Sequence, residues 1–293
     1  MTTEIKTNNE ELSQAVTDAQ NIKPEEKVDF VIVTNAESDI AIPTISCVMN
    51  LFGRGYKFIW DIRGAGGYAR TRNVLSTAFL KNNRSEVMIC LDRDLIFNPD
   101  YIDKFIEDYK NGWDLVGGLY PVKDGTHLTS FGLDKGDLAI DGTTHEVKWL
   151  ATGFGMITRR LLQKMVDEIP FCYTTPDGLP HTRTGMPLMN IGTSLESYPF
   201  FEDHCGLDGE AYLWLSEDYE FCNKARLMGA KPAADTRIWL GHIGQRIYEV
   251  KDVLEHQKTI LAEIEAKRKA EEKPANVIEL SVTEGVGVKS AEG

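Results

Sequence analysis

Two aspartates separated by one residue, Asp92 and Asp94, follow an apolar run that ends at Leu91. Carboxylates in this position provide the oxygen ligands that a hard divalent cation needs when it also holds a diphosphate. A purely structural interpretation has Asp92 capping the next turn and Asp94 solvated or paired with Arg93. For an isolated Asp-x-Asp motif the structural interpretation is the more common, so a metal site needs support from elsewhere in the chain.

A second acidic group opens a predicted helix, where Ser216 is followed by Glu217 and Asp218. Ser216 suits the N-cap position, and acids in the first turn complement the helix dipole. One of the acids could also bind or deprotonate an acceptor hydroxyl, and the two roles are compatible. His242, in a glycine-flanked stretch, is a candidate third metal ligand, although an isolated histidine is more often structural.

The segment 64–73 combines glycines with basic side chains at the start of another predicted helix. Arg70, Arg72 and Asn73 lie near its amino end, where backbone donors and guanidinium groups together accept phosphate oxygens. The alternative is a flexible loop that carries surface arginines. Phosphate binding is the more specific hypothesis because two arginines occur together.

The same segment suggests a competing function, a dinucleotide-dependent oxidoreductase. Gly64, Gly66 and Ala69 fit the dinucleotide fingerprint, and Asp92 ends the next strand as a ribose-binding acid would. Two features weigh against it. Residues 61–63 are Asp-Ile-Arg instead of the end of an unbroken buried strand, and Asp92 lies farther along the chain than the usual spacing of about 20 residues.

The elements that must position these residues alternate along the first half of the chain. The predicted elements are strand 29–34, a helix from Asp39, strand 56–60, helix 68–81, strand 86–91, helix 99–111 and strand 113–118. This alternation predicts a doubly wound α/β sheet, in which ligands bind beyond the carboxyl ends of the strands. Thr34, Asn35, Asp92 and Asp94 are expected to meet there.

The remaining chain is predicted to complete one domain. We expect a flexible leader at 1–26, the globular domain at 27–248, a charged amphipathic helix at 249–273 and a disordered tail at 274–293. Between 120 and 209 the pattern weakens, and long substrate-binding loops are expected. A helix at 216–228 and a last strand at 237–240 follow.

Composition limits the possible functions. The net charge of -13 disfavours non-specific binding of nucleic acid unless a local basic patch exists. Five widely spaced cysteines contain no Cys-x-x-Cys pair, which indicates buried thiols and no structural zinc. The sequence shows neither a signal peptide nor a run long enough to span a membrane, so we expect a cytoplasmic protein without membrane contact.

Several short motifs, taken in order, resemble those of GT-A glycosyltransferases, and the enzymes found in many bacteriophage genomes are the most similar. The motifs are Arg70-Thr-Arg-Asn73, Leu91-Asp-Arg-Asp94, Asp114-Leu-Val-Gly-Gly-Leu-Tyr-Pro121, Thr152-Gly-Phe-Gly-Met-Ile157, Ser216-Glu-Asp218 and Gly241-His242. The resemblance implies a GT-A, Rossmann-like, doubly wound mixed sheet in a single domain with a helical C-terminal extension.

The resemblance also implies a donor site for a nucleoside diphosphate sugar, with UDP as the expected nucleotide. Thr34, Asn35 and Glu37 would hold the base, while Arg70 and Arg72 would face the phosphates. A divalent cation, Mn²⁺ or Mg²⁺, would be the cofactor.

The metal and acceptor sides follow from the same resemblance. Asp92 would contact the ribose or the metal, Asp94 would ligate the metal and His242 would complete its shell. Thr152 and Gly153 would line the pocket for the sugar and the acceptor.

Glu217 or Asp218 would be the acid on the acceptor side, with inversion if one of them is the base and a retaining route otherwise. The acceptor is either a hydroxymethylated base in DNA or a glycan, and the sequence leaves the oligomeric state open. DNA binding would require a basic face, for which the candidates are Lys123, Arg159, Arg160, Lys164, Arg183, Arg226, Lys231, Arg237 and Arg246.

Overall fold

The computed structural model describes residues 27–133, 138–169, 173–174, 180–181, 197–208 and 211–271. The predicted leader at 1–26 and the predicted tail at 274–293 lie outside these residues. The chain divides into two compact units, one reaching Val253 and the other beginning at Leu254. The first unit contains the sheet and all the candidate site residues.

An eight-stranded mixed sheet forms the first unit, in the order β2-β1-β3-β8-β5-β13-β7-β6. β1 runs parallel to β2 and β3, β13 runs parallel to β5, and β8 lies antiparallel between β3 and β5. The strands of this sheet are β1 Phe30–Asn35, β2 Phe58–Arg63, β3 Val87–Leu91, β5 Leu115–Leu119, β6 Phe131–Gly132, β7 Thr144–Trp149, β8 Phe154–Thr158 and β13 Pro232–Trp239.

Short strands make three further sheets. β4 (Leu95–Ile96), β14 (Gly241–Ile243) and β15 (Ile247–Tyr248) form one of them, and the hairpins β9–β10 and β11–β12 form the others. The hairpin strands are β9 Tyr173–Thr174, β10 Pro180–His181, β11 His204–Asp208 and β12 Ala211–Leu215. Pairing of β14 with β4 sets His242 opposite Leu95, directly beside Asp94 in the chain.

Helices cover both faces of the main sheet, which explains why the central strands β1, β3, β5 and β8 are buried along their whole length. The helices of the first unit are α1 Ile42–Phe52, α2 Tyr68–Asn82, α3 Tyr101–Lys110, α4 Arg159–Glu168 and α5 Glu217–Leu227. The last helix, α6 Val250–Glu271, belongs mostly to the second unit. Buried residues of α1 and α3 join one core with Phe30 and Ile32, whose side chains share a face of β1. α2, α4 and α5 contact one another along the other layer.

The order of the strands creates a switch point between β1 and β3. The chain leaves β1 through α1 to β2 on one side, and then returns through α2 to β3 on the other side of β1. Open α/β sheets bind ligands at such a point, beyond the carboxyl ends of the strands. Asn35 ends β1 and Asp92 follows β3, so both lie at this edge.

The predicted α/β class and the doubly wound mixed sheet are confirmed, and the limits of several elements differ from the prediction. The strand expected at 56–60 runs Phe58–Arg63, at an edge of the sheet where its side chains are mostly half-buried. The expectation of long loops between 120 and 209 was wrong for residues 144–149 and 154–168, which form β7, β8 and α4. Gly155, within β8, interrupts the apolar pattern of the strand. Among the described helices, none has the length and apolar composition needed to cross a bilayer.

Candidate active site

A buried guanidinium lies at the centre of the candidate site. Arg72, in the second turn of α2, is only 5% exposed. Its Nη2 lies 3.0 Å from Asp92 Oδ1, and its Nη1 contacts Asp218 Oδ1 and lies 3.4 Å from Glu217 Oε1. Burial acts to lower the pKa of Arg72, but these three carboxylates reverse that effect and hold the pKa well above its ordinary value.

Asp218 is held by two partners. In addition to the Arg72 contact, its Oδ2 accepts the Thr152 backbone N–H at 3.2 Å and its Oδ1 accepts the Thr152 hydroxyl. Asp218 therefore links α2 to the chain just before β8. Ser216 occupies the N-cap position of α5 as predicted, but its side chain makes no capping hydrogen bond.

Glu217 is held more loosely than its neighbour, through the 3.4 Å contact to Arg72. Burial raises the pKa of Glu217, Asp218 raises it further through charge repulsion, and Arg72 opposes both effects. A glutamate with a raised pKa is a stronger base once it is deprotonated.

Asp92 fits closely between β3 and the residues that precede β8. Its backbone N–H donates to Gly153 O at 2.6 Å, and a side chain at Gly153 would place its Cβ 2.6 Å from Asp92 Oδ2. The same Cβ would overlap the hydroxyl of Tyr120, which accepts the Gly153 N–H at 3.1 Å. A residue larger than glycine at position 153 would therefore have to displace the side chains of Asp92 and Tyr120. Burial raises the pKa of Asp92, and Arg72 opposes that shift.

Asp94 belongs to a second cluster. Its Oδ1 lies 3.6 Å from His242 Nε2, and its Oδ2 accepts a hydrogen bond from Lys123 Nζ at 2.5 Å. Burial acts to raise the pKa of Asp94, but His242 and Lys123 outweigh burial and lower it to about 2. Arg93 points elsewhere, with Nη1 at 2.7 Å from Asp39 Oδ1.

The imidazole ring of His242 is held between a backbone carbonyl and Asp94. Its Nδ1 lies 2.8 Å from the carbonyl oxygen of Pro121, an arrangement that fixes the ring and leaves Nε2 facing Asp94. A carboxylate and an oriented imidazole suit a divalent cation whose remaining ligands come from phosphate oxygens. The described residues contain no group of three histidine, cysteine or acidic side chains arranged to hold a metal. The predicted set of Asp92, Asp94 and His242 is therefore divided, because Asp92 faces Arg72.

Tyr120 connects the two clusters, and the sequence analysis assigned it no role. Its hydroxyl contacts Gly153, while its ring meets His242 edge-on with 5.5 Å between the centroids. Tyr120 is almost fully buried and directly follows β5. Its position after a strand was the available signal, because Asp92 follows β3 in the same way.

The predicted base-binding residues surround the end of β1. Thr34 is buried, and its hydroxyl accepts the indole N–H of Trp60 at 2.9 Å. The side chain of Asn35 is 5% exposed, and neither amide atom has a hydrogen-bond partner among the described residues. Glu37 accepts a hydrogen bond from the Gly67 backbone N–H before α2. Asn35 is thus the residue with unused hydrogen-bonding capacity at this edge.

Arg70, Arg72 and Asn73, which were expected near the phosphates, lie in different surroundings. Arg70 is exposed in the first turn of α2. Arg72 is buried among carboxylates, and Asn73 exchanges two hydrogen bonds with the backbone of Phe201, at 2.9 and 2.7 Å. Of the three side chains, only that of Arg70 is exposed to solvent.

The dinucleotide alternative lacks its required neighbour. The glycines do follow a strand and precede a helix, but that strand is β2, an edge strand. β1 separates it from β3, which Asp92 follows, and the Asp92 carboxylate is paired with Arg72. A ribose-binding acid should end the strand next to the glycine loop.

The members of the proposed basic face already have partners. Each of the described candidates contacts an acid or a backbone carbonyl, and Arg183 lies outside the described residues. The acid-paired candidates are Lys123, Arg160, Lys164, Lys231, Arg237 and Arg246, and the carbonyl-bound ones are Arg159 and Arg226.

Comparison with known proteins gives no match to any protein-family profile and none to any curated protein. Among solved structures, A197 from STIV is 16% identical, with a TM-score of 0.49, over 76% of this chain and 91% of that chain. GalNAc-T7, solved with UDP, GalNAc and Mn²⁺, is 12% identical, with a TM-score of 0.48, over 80% of this chain. The match spans 48% of the GalNAc-T7 chain.

A glycosyltransferase involved in glycosylation of the major capsid of PBCV-1 is 16% identical, with a TM-score of 0.30. That match covers 49% of this chain and 69% of the other. At these TM-scores the similarities assign neither a family nor an activity. A functional assignment therefore rests on the contacts that Arg72, Asp94 and His242 make within the candidate site.

Proposed function

We propose that the chain is a metal-dependent GT-A glycosyltransferase that moves a sugar from a nucleoside diphosphate to an acceptor hydroxyl. The observation that carries the proposal is that Asp92 and Asp94 contact different partners. Asp94 meets His242 on one side, while Asp92 joins the partly buried carboxylates around Arg72 on the other. On this proposal a cation site and an acid–base site would lie next to each other at the switch point of the sheet.

Asp94 and His242 would hold Mn²⁺ or Mg²⁺ together with the donor diphosphate. A bound cation would offset the negative charge that develops on the leaving diphosphate. Asp92, buried against Arg72, would serve the ribose. These assignments leave Arg93 outside the site, in agreement with its pairing to Asp39.

The donor base would bind at the end of β1. The Asn35 amide offers one donor and one acceptor, and both are buried without a partner among the described residues. Buried polar groups are rarely left unpaired, so a ligand that supplies an acceptor and a donor would complete this side chain. The imide edge of uracil does so, and UDP is therefore the proposed nucleotide. Arg70, exposed at the amino end of α2, would contact the phosphates.

Glu217 is the proposed acceptor-side base. It lies beside Asp218, but Asp218 is engaged by Arg72 and Thr152, whereas Glu217 has the looser contact. The raised pKa of Glu217 also favours proton uptake from a hydroxyl. Asp218 and Arg72 would position it, and attack by the activated hydroxyl would invert the anomeric centre.

A glycan is the proposed acceptor. The net charge of -13 repels a phosphate backbone, and the described basic residues that could have formed a DNA-binding face are already paired. Hydroxymethylated DNA is the second candidate, and the experiment below includes it.

A transfer assay read by mass spectrometry tests the proposal. A panel of nucleotide sugars is combined with small glycans, hydroxymethylated DNA and plain DNA, in Mn²⁺ or in EDTA. We expect one sugar mass to be added to one acceptor class in Mn²⁺, with loss of the product in Asp94→Asn. Asp167→Asn, an exposed aspartate of α4, is the matched control and should retain activity. Absence of transfer and hydrolysis with every donor would reject an enzymatic role.

The same preparation tests the oxidoreductase alternative through thermal stability. A ligand that binds the folded state raises the melting temperature. Stabilisation by NAD without regard to metal, together with no response to UDP, would favour the oxidoreductase.

A further inference from the structure

Lys123 is hydrogen-bonded to the carboxylate oxygen of Asp94 that does not face His242. Its Nζ donates to Asp94 Oδ2 at 2.5 Å, while His242 Nε2 faces Oδ1. Asp94 is 18% exposed and the Lys123 side chain is 51% exposed, so the ammonium reaches a mostly buried carboxylate from solvent. The proposed cation site thus contains an internal cation.

One turn of the chain positions both partners of Asp94. Residues 121–128 fold back after β5, with the Val122 N–H donating to His127 O at 3.0 Å. Pro121 supplies the carbonyl that orients His242, and Lys123 follows two residues later. The imidazole and the ammonium are therefore held to Asp94 by the same short segment.

Charge balance makes the ammonium and a divalent cation alternatives. The ammonium of Lys123 offsets the negative charge of the Asp94 carboxylate. A divalent cation bound to the same carboxylate would stand beside a like charge in a partly buried site, where repulsion is stronger than in water. The Lys123 side chain has solvent on one side and can move away.

We propose that Lys123 competes with the divalent cation for Asp94, and that binding of the metal releases its ammonium to the donor diphosphate. This inference rests on the proposed function, because it assumes that Asp94 and His242 form the metal site. Lys123 would then have a regulatory role, because its ammonium offsets the charge of Asp94 while no metal is bound. Metal and donor would bind cooperatively, because the diphosphate accepts the displaced ammonium.

The test measures Mn²⁺ binding without donor, by electron paramagnetic resonance of the free ion. Lys123→Met, which keeps the length and removes the charge, should bind Mn²⁺ about two- to fivefold more tightly than the wild type, the range expected from loss of a partly exposed ion pair. Lys123→Arg retains a cation and should stay near the wild type. Lys231→Met, which removes an exposed lysine paired with Glu146, is the matched control and should change nothing.

A second readout separates competition from a structural role. UDP should increase Mn²⁺ affinity in the wild type by a larger factor than in Lys123→Met, because the variant has no ammonium to release. Circular dichroism melting checks that each variant is folded. Unchanged or weaker Mn²⁺ binding by folded Lys123→Met would overturn the inference, as would the absence of Mn²⁺ binding by both proteins at the highest concentration.

The double variant Lys123→Met with Asp94→Asn distinguishes the two proposals. If Asp94 is the contested ligand, the tightening disappears in the double variant. If Mn²⁺ binds and Asp94→Asn alone does not weaken it, the metal site of the proposed function is wrong. If Asp94→Asn weakens binding and Lys123→Met has no effect, only the inference about Lys123 fails.

Discussion

Arg72 of α2 and Asp218 of α5 form a buried ion pair between two helices that are far apart in the sequence. The same guanidinium reaches Asp92 at the end of β3. Three elements of the candidate site thus depend on one side chain. An ion pair of this kind is costly to break, because removal of one partner leaves uncompensated charge in the interior.

Arg72→Met should therefore destabilise the protein strongly. We expect the free energy of unfolding to fall by about 3–5 kcal/mol, because buried carboxylates lose their counterion. Urea denaturation followed by circular dichroism measures the change. Arg54→Met, which removes an exposed pair with Asp100, should cost less than about 1 kcal/mol. Equal losses in the two variants would contradict the central role of Arg72.

Glu217→Gln should abolish most of the sugar transfer while the fold is retained. Loss of a general base typically lowers kcat by about 10²–10⁴-fold. Because a base must be deprotonated, the wild-type rate should rise with pH through the raised pKa of Glu217, and this limb should vanish in the variant. Asp218→Asn should instead lower stability together with activity. A pH-rate profile of Glu217→Gln that retains the wild-type limb would assign the base elsewhere.

Gly153→Ala should damage the site through crowding. The added Cβ would lie 2.6 Å from Asp92 Oδ2 and would overlap the Tyr120 hydroxyl. We expect a loss of about 1–3 kcal/mol in stability and a marked drop in donor binding. Gly53→Ala is the control, since its Cβ would meet only Asn50 O at 3.5 Å and its φ of -71° suits alanine. Normal UDP binding by Gly153→Ala would show that Asp92 does not need this close fit.

A buried acid away from the site predicts a pH dependence of stability. Burial, reinforced by Asp235, raises the pKa of Asp108 to about 7, against opposing effects from Thr144 and Arg237. A raised pKa in the folded state means that the contribution of Asp108 to stability is greatest below its unfolded pKa, near 4, and is lost as pH rises towards about 7. Asp108→Asn should flatten this fall and should be more stable than the wild type above pH 7.

Urea denaturation across this range measures the effect of Asp108→Asn. Asp167→Asn, at an exposed position in α4, is the control and should keep the wild-type dependence on pH. A wild-type stability that stays level between pH 4 and 7 would contradict the raised pKa of Asp108.

The sequence predicted the first half of the fold well because its central strands are uninterrupted apolar runs. β1 and β3 are recognisable from their residues alone, and their ends locate Asn35 and Asp92 correctly. β8 could not be recognised in this way, although it lies in the middle of the sheet. Gly155 gives the strand no side chain to show in a pattern, and its place between β3 and β5 depends on pairing with distant segments.

The sequence indicated which residues come together at the candidate site better than it indicated which of them contact one another. Asp94 and His242 come together as expected, because β14 pairs with β4. The pairing of Arg72 with three carboxylates is not visible in the sequence, where a pair of arginines near a helix start equally suggests phosphate binding. Lys123 and Tyr120 reach the site because of the turn after β5. No pattern in the sequence around that turn indicates that it contributes side chains to the site.

The proposed function requires that Asp94 and His242 hold a divalent cation together with a nucleoside diphosphate. Isothermal titration of UDP in Mn²⁺ and in EDTA, on the wild type, Asp94→Asn and His242→Ala, measures this. We predict that UDP binds the wild type in Mn²⁺ at least about tenfold more tightly than in EDTA, and that both variants lose this difference. UDP affinity that is the same with and without metal, and unchanged in Asp94→Asn, would contradict the account.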